Sequence, residues 1–131
     1  LWKFDGSDWK QLRDIANNDS DEDYDDDYAI TRAGTVSFVI DGRGYIATGT
    51  RSGVTSDYWV YDPEEDLWYG DSDDDYTPMT NVHNVSSGGS SRSYAVSFST
   101  GKRGFVLSGS SGTSYFDDVY ELLPYEQEDV D

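Results

Sequence analysis

Two runs of acidic residues are the first feature of the sequence that could do chemistry. The runs at 19–27 and 71–75 place aspartate at alternate positions. In an extended chain this spacing directs carboxylates to one side, and calcium is a hard cation that takes several oxygen ligands. The sequence therefore predicts a calcium site, and its candidate ligands are Asp19, Asp21, Asp23, Asp25, Asp27, Asp71, Asp73 and Asp75.

The residues around the first run do not fit the best-known calcium loop. An EF-hand needs glycine at its sixth position and glutamate at its twelfth, where this sequence has Tyr24 and Ile30. The alternative interpretation is a solvated acidic segment that keeps the protein in solution.

Tyrosine residues interleaved with these acids suggest a different ligand. An exposed aromatic ring can stack on a sugar while nearby carboxylates accept hydrogen bonds from its hydroxyl groups. The candidate ligand-binding residues are Tyr24, Tyr28, Tyr69 and Tyr76. No catalytic residue is predicted, because the chain has no cysteine and a single histidine, His83, which we expect to lie in a loop.

The formal net charge of −18 argues against two classes of partner. Nucleic acid and anionic membranes both require a basic surface, which this composition does not provide. No apolar run is long enough to form a transmembrane segment. We therefore expect neither nucleic-acid binding nor a membrane span.

A repeated hairpin positions these candidate residues. The stretch "VSFVIDGRGYIATG" at 36–49 returns as "VSFSTGKRGFVLSG" at 96–109, and each copy alternates apolar and polar residues around a turn that contains glycine. This pattern predicts two antiparallel strands. Arg32 and Arg92 precede the two copies at the same distance, which predicts repeated salt bridges or stacking between units.

The repeat extends downstream of each hairpin. Residues 57–68, "DYWVYDPEEDLW", are matched by "DVYELLP" at 118–124 and by the opening "LWKFDGSDW" at 1–9. Each unit is thus up to four short strands, and the acidic runs fall in the connections between units. Tryptophans at equivalent positions are expected to pack between units; these are Trp2, Trp9, Trp59 and Trp68.

A repeat of four short strands whose copies begin at residues 36 and 96 resembles a kelch repeat. The resemblance is greatest to the C-terminal portion of galactose-oxidase-like kelch proteins of Bacteroidetes type. The resemblance implies an all-β fold made of kelch-type β-propeller blades, each a four-stranded antiparallel meander. One departure is that the usual Gly-Gly after the second strand is here Thr48-Gly49 and Ser108-Gly109.

The resemblance also divides the chain. It implies the end of one blade at 1–12, a complete blade at 32–71, a last blade lacking its fourth strand at 92–124 and an acidic tail at 125–131. These parts make about two and a quarter blades, fewer than a closed ring requires. The remaining blades are expected from the same parent chain or from other chains.

A non-catalytic recognition or scaffold module is the function that this resemblance favours. It would bind a glycan or another protein through acidic, aromatic inter-blade loops, in the periplasm or on the cell surface of a bacterium. The alternative is a fragment of a carbohydrate-active kelch enzyme, mutarotase- or oxidase-like, whose catalytic residues lie in other blades. The copper site of the oxidases uses two histidines and a cysteine-modified tyrosine, which this chain does not supply.

Overall fold

The computed structural model describes residues 1–12, 30–70, 81–84 and 91–123. Every regular element in these ranges is a β-strand, so the predicted all-β class is confirmed. The strands are β1 (Trp2–Phe4), β2 (Trp9–Gln11), β3 (Val36–Ile40), β4 (Arg43–Ala47), β5 (Tyr58–Asp62), β6 (Leu67–Gly70), β7 (Asn81–Asn84), β8 (Val96–Ser99), β9 (Gly104–Leu107), β10 (Ser110–Ser111), β11 (Ser114–Tyr115) and β12 (Val119–Leu123). No helix in the described ranges is long and apolar enough to span a membrane.

The first sheet is a four-stranded antiparallel meander in the order β3-β4-β5-β6. Phe38 lies opposite Tyr45, and Tyr45 lies opposite Val60, so these side chains share one face. We call this the front face, and the opposite face, which carries Gly44 and Tyr61, the back face. The alternation in "VSFVI" and "YWVYD" places the buried side chains of β3 and β5 on the front face, as the period of a strand requires.

The second sheet has the order β7-β12-β9-β8, and its fourth strand precedes the other three in the chain. Asn84 of β7 lies opposite Tyr120 of β12 in an antiparallel ladder, which satisfies the outer backbone groups of β12. Strands β8, β9 and β12 are therefore completed to a four-stranded sheet by a strand from the preceding connection. His83 lies in β7, so its expected placement in a loop was wrong.

The two sheets stack with the front face of the first against the back face of the second. This contact forms the apolar core of the described chain. Its buried members are Val36, Phe38, Ile40, Tyr45, Ala47, Tyr58 and Val60 from the first sheet and Val106, Tyr120 and Leu122 from the second. Two backbone hydrogen bonds connect the sheets at opposite ends, from Gly49 to the Arg92 carbonyl at 2.7 Å and from Asp41 to the Gly101 carbonyl at 2.9 Å. The described sheets do not close a ring.

Strands β1 and β2 form a separate two-stranded sheet beside the back face of the first. Trp68 is buried there, as the repeat predicted, but Trp2 and Trp9 are 58% and 66% exposed. Their expected packing between units was wrong, because no described strand covers the outer surface of this hairpin.

The departure from Gly-Gly has a structural explanation. Thr48 and Ser108 adopt φ values of 60° and 56°, in the left-handed region where glycine is favoured. At the next position a Cβ on Gly49 would lie 2.8 Å from the Ala33 carbonyl oxygen, so only glycine fits there. The first position thus accepts Thr or Ser at the expense of backbone strain.

Candidate functional site

Of the candidate ligand-binding and metal-binding residues, only Tyr69 lies in the described part of the chain. The others lie outside the described residues; they are Asp19, Asp21, Asp23, Tyr24, Asp25, Asp27, Tyr28, Asp71, Asp73, Asp75 and Tyr76. Among the residues that are described, no group of three or more His, Asp or Glu side chains could hold a metal ion. The calcium site therefore stays a prediction from the sequence.

Tyr69 is held in β6, opposite Val60, and its ring lies at the outer edge of the front face. Its side chain is half-buried, and its hydroxyl group donates a hydrogen bond to Glu65 Oε2 at 2.5 Å. A tyrosine beside a carboxylate is the combination that the sequence favoured for sugars, although the partner here is Glu65 and not an acid of the two runs.

Arg92 is the most buried charged side chain next to the second sheet, and its guanidinium has polar and aromatic partners. Its Nη1 and Nη2 atoms donate to Asp118 at 2.5 and 2.9 Å, and Nη1 also donates to the Ser108 carbonyl at 2.8 Å. The guanidinium carbon lies 4.5 Å from the ring centres of both Phe116 and Tyr120. With a side chain only 1% exposed, Arg92 is an internal clamp between strands.

Arg32 makes the same arrangement in the first sheet. It donates to both carboxylate oxygens of Asp57 at 2.5 and 3.0 Å and to the Thr48 carbonyl at 3.1 Å. Salt bridges thus recur at the repeated positions, but each joins residues of one unit, so the expectation that they lie between units was wrong. The two clamps differ in the exposure of their carboxylates, since the side chain of Asp57 is 28% exposed and that of Asp118 only 8%.

Both carboxylates remain ionised at neutral pH. Hydrogen bonds from Arg92 hold the pKa of Asp118 below its usual value. Burial alone would raise the pKa of Asp57, but hydrogen bonds from Arg32 and Thr55 outweigh it and the pKa is lowered. Each clamp therefore joins its strands as a pair of opposite charges at neutral pH.

The sequence carried a signal for these two acids that the predictions did not use. Asp57 and Asp118 each stand two residues before the aligned aromatic pair Trp59 and Tyr120. An acid at the same offset in both copies, with a repeated arginine upstream, indicates an ion pair in each unit.

A small polar pocket lies next to the clamp of the first sheet. It has a volume of about 310 Å³ and is open to solvent. Its walls are the clamp and the loop between β4 and β5, whose polar members are Arg51, Ser52 and Thr55. The connection that carries the first acidic run rejoins the sheet at Ile30, whose carbonyl accepts a hydrogen bond from Arg32 at 3.1 Å. The pocket therefore lies at the end of the sheet where that connection arrives.

Comparison with known proteins gives no independent identification. No protein-family model matches the chain, and no curated protein matches it. Functional inference therefore rests on the repeat, the clamps and the surfaces described above.

Proposed function

We propose that this chain is a segment of a kelch-type β-propeller that acts as a non-catalytic recognition module for a glycan. Two four-stranded antiparallel sheets, stacked in the same sense with equivalent clamps, support the propeller assignment. The periplasm or the cell surface of a bacterium is the location that goes with this assignment.

The observation that carries the recognition role is the pocket beside the Arg32–Asp57 clamp. Arg51, Ser52 and Thr55 present polar groups around an open space, and the clamp fixes the wall behind them. Glycan hydroxyl groups both donate and accept hydrogen bonds, which suits a wall of guanidinium and hydroxyl groups. The charged groups of the clamp are already paired, which favours binding without chemistry.

Glycan binding can be tested with the purified chain on a panel of immobilised oligosaccharides, followed by calorimetry on any hit. We expect saturable binding that R51A weakens, while K102A, at the opposite end of the stacked sheets, leaves it unchanged. Absence of binding across the panel, or equal loss in both variants, would contradict the proposal. Turnover of a bound sugar would favour the carbohydrate-active enzyme instead.

The calcium hypothesis has its own test. If the acidic runs bind calcium, the ion will raise the melting temperature of the wild-type chain by mass action. The rise should disappear in the double variant D21N/D73N and persist in D5N, which removes a carboxylate from the turn between β1 and β2. A wild-type melting temperature that calcium does not change would end the hypothesis.

A further inference from the structure

The contact between the two sheets depends on a ring seated on a glycine. The Phe38 ring of the first sheet lies over Gly104 of the second so closely that a Cβ on Gly104 would be 2.4 Å from Phe38 Cε2. Ser97 Oγ donates to the Ser37 carbonyl at 3.0 Å, and Lys102 pairs with Asp41 across the same contact. The front face of one sheet is thus shaped to fit the back face of the next.

The front face of the second sheet repeats apolar residues of the first, but none of the described residues covers it. Val96 and Phe98 occupy the positions of Val36 and Phe38, sixty residues later. Val36 and Phe38 are 5% and 7% exposed, whereas Val96 and Phe98 are 63% and 50% exposed. Phe98 stacks on Phe105 with ring centres 4.6 Å apart, so the exposed residues form one apolar patch.

The back face of the first sheet offers the matching seat. Gly44 occupies the position of Gly104, and the nearest atom to a Cβ built on it is Tyr61 Cβ at 3.7 Å, an ordinary contact. Val39 beside it is 51% exposed. A cleft of about 770 Å³ separates this surface from the β1–β2 hairpin, so the position that Phe38 fills on Gly104 is open on Gly44.

We propose that the chain associates head to tail, with the Val96–Phe98 face of one copy docked on the Gly44 face of a second copy. The contact between the sheets within one chain is the template, because Val96 and Phe98 repeat Val36 and Phe38 on one docking face, and Gly44 repeats Gly104 on the other. The two docking faces differ from each other, so the contact is heterologous. A head-to-tail assembly therefore has one undocked face at each of its two ends. The β1–β2 hairpin forms the other wall of this cleft, so docking of a second copy requires the hairpin to move away from Gly44.

Charge makes this association weaker than the internal contact. The positions equivalent to Asp41 and Lys102 are Gly101 and Gly42, so the internal salt bridge has no counterpart between copies. Each copy also carries a formal net charge of −18, and mutual repulsion opposes docking. Because salt screens this repulsion, association should strengthen as ionic strength rises.

Sedimentation of two complementary variants tests the proposal, which does not depend on the glycan ligand. F98D places a charge in the apolar patch. G44L extends a side chain into the cleft over Gly44, where a Cβ makes only an ordinary contact, 3.7 Å from Tyr61 Cβ. We expect the wild type to associate reversibly at concentrations up to about 1 mM and each variant to weaken association by at least about thirtyfold. Mixed together, the two variants should form a one-to-one dimer and nothing larger, since each retains one intact face.

F4D is the matched control, because Phe4 is 52% exposed and lies on the outer surface of the hairpin. It should associate like the wild type, and circular dichroism should show all variants folded. A monomeric wild type at every concentration, or a mixture of F98D and G44L that stays monomeric, would overturn the proposal. Should either variant fail to fold, V96D and V39D test the same two faces.

Discussion

The substitution D118N tests whether the Arg92 clamp holds the second sheet together. Asn keeps the shape of the side chain and removes its charge, which leaves a guanidinium that is 1% exposed without its counter-ion. Removing one partner of a buried ion pair costs roughly 3–5 kcal/mol. The Ser108 carbonyl and the Phe116 and Tyr120 rings still contact the cation, so we expect the lower end, about 3 kcal/mol.

The equivalent substitution in the first sheet is the internal comparison. The Arg32 side chain is 1% exposed, as that of Arg92 is, but Asp57 is 28% exposed and borders the open pocket. Water can therefore enter beside the guanidinium in D57N, and we expect a smaller loss of about 1–2 kcal/mol. E121Q breaks the surface pair with Arg103, whose side chain is 59% exposed, and should cost least. Urea unfolding followed by tryptophan fluorescence measures all three. A D118N loss below that of E121Q would refute the argument that burial sets the contribution of these pairs.

Three further predictions concern the backbone and pH. G104A should lower the free energy of unfolding by about 1–3 kcal/mol, because its Cβ would meet the Phe38 ring. G44A in dilute solution should leave the free energy of unfolding unchanged or raise it by about 0.5 kcal/mol. Equal effects of the two substitutions in urea unfolding would contradict the close fit of Phe38 on Gly104. T48G should raise the free energy of unfolding by about 1 kcal/mol, since it relieves a φ of 60°, and T48A should not match it in the same assay. The folded-state pKa of Asp118 lies below the unfolded value of 3.8, so its contribution to the free energy of unfolding is present above pH 3.8 and is lost as pH falls through the folded pKa. In acid titrations D118N should therefore lose less stability over this pH range than the wild type. Parallel stability curves for the two proteins would contradict this prediction.

The sequence predicted the repeated sheets well because their information is local. Alternation in "VSFVI" and the glycine turn before "YIATG" define strands and their register without reference to distant residues. Strand β7 was missed for the opposite reason. Its pairing with β12 joins segments about forty residues apart, and nothing in "NVHN" marks it as the outer strand of that sheet.

The functional residues were harder to predict than the strands. The recurrence of Arg32 and Arg92 indicated ion pairs, but residue type alone could not distinguish Asp57 and Asp118 from the many other acids of the chain. The exposure of Trp2 and Trp9 was also beyond a sequence argument. A tryptophan at a repeat position is buried only where a neighbouring unit covers it, and repetition in one chain does not say which units have neighbours.

The second copy of the repeat differs from the first at the points that decide whether its front face stays open. Glu121 stands where the first sheet has Val60, and Thr100 stands where it has Ile40. Val60 and Ile40 are 2% and 0% exposed, so these two positions lie at the centre of the internal contact. Glu121 at one of them pairs with Arg103, whose side chain is 59% exposed and must lose water before another sheet can dock. The apolar patch around Phe98 favours docking and Glu121 opposes it, and together they predict an association that is specific in geometry but reversible.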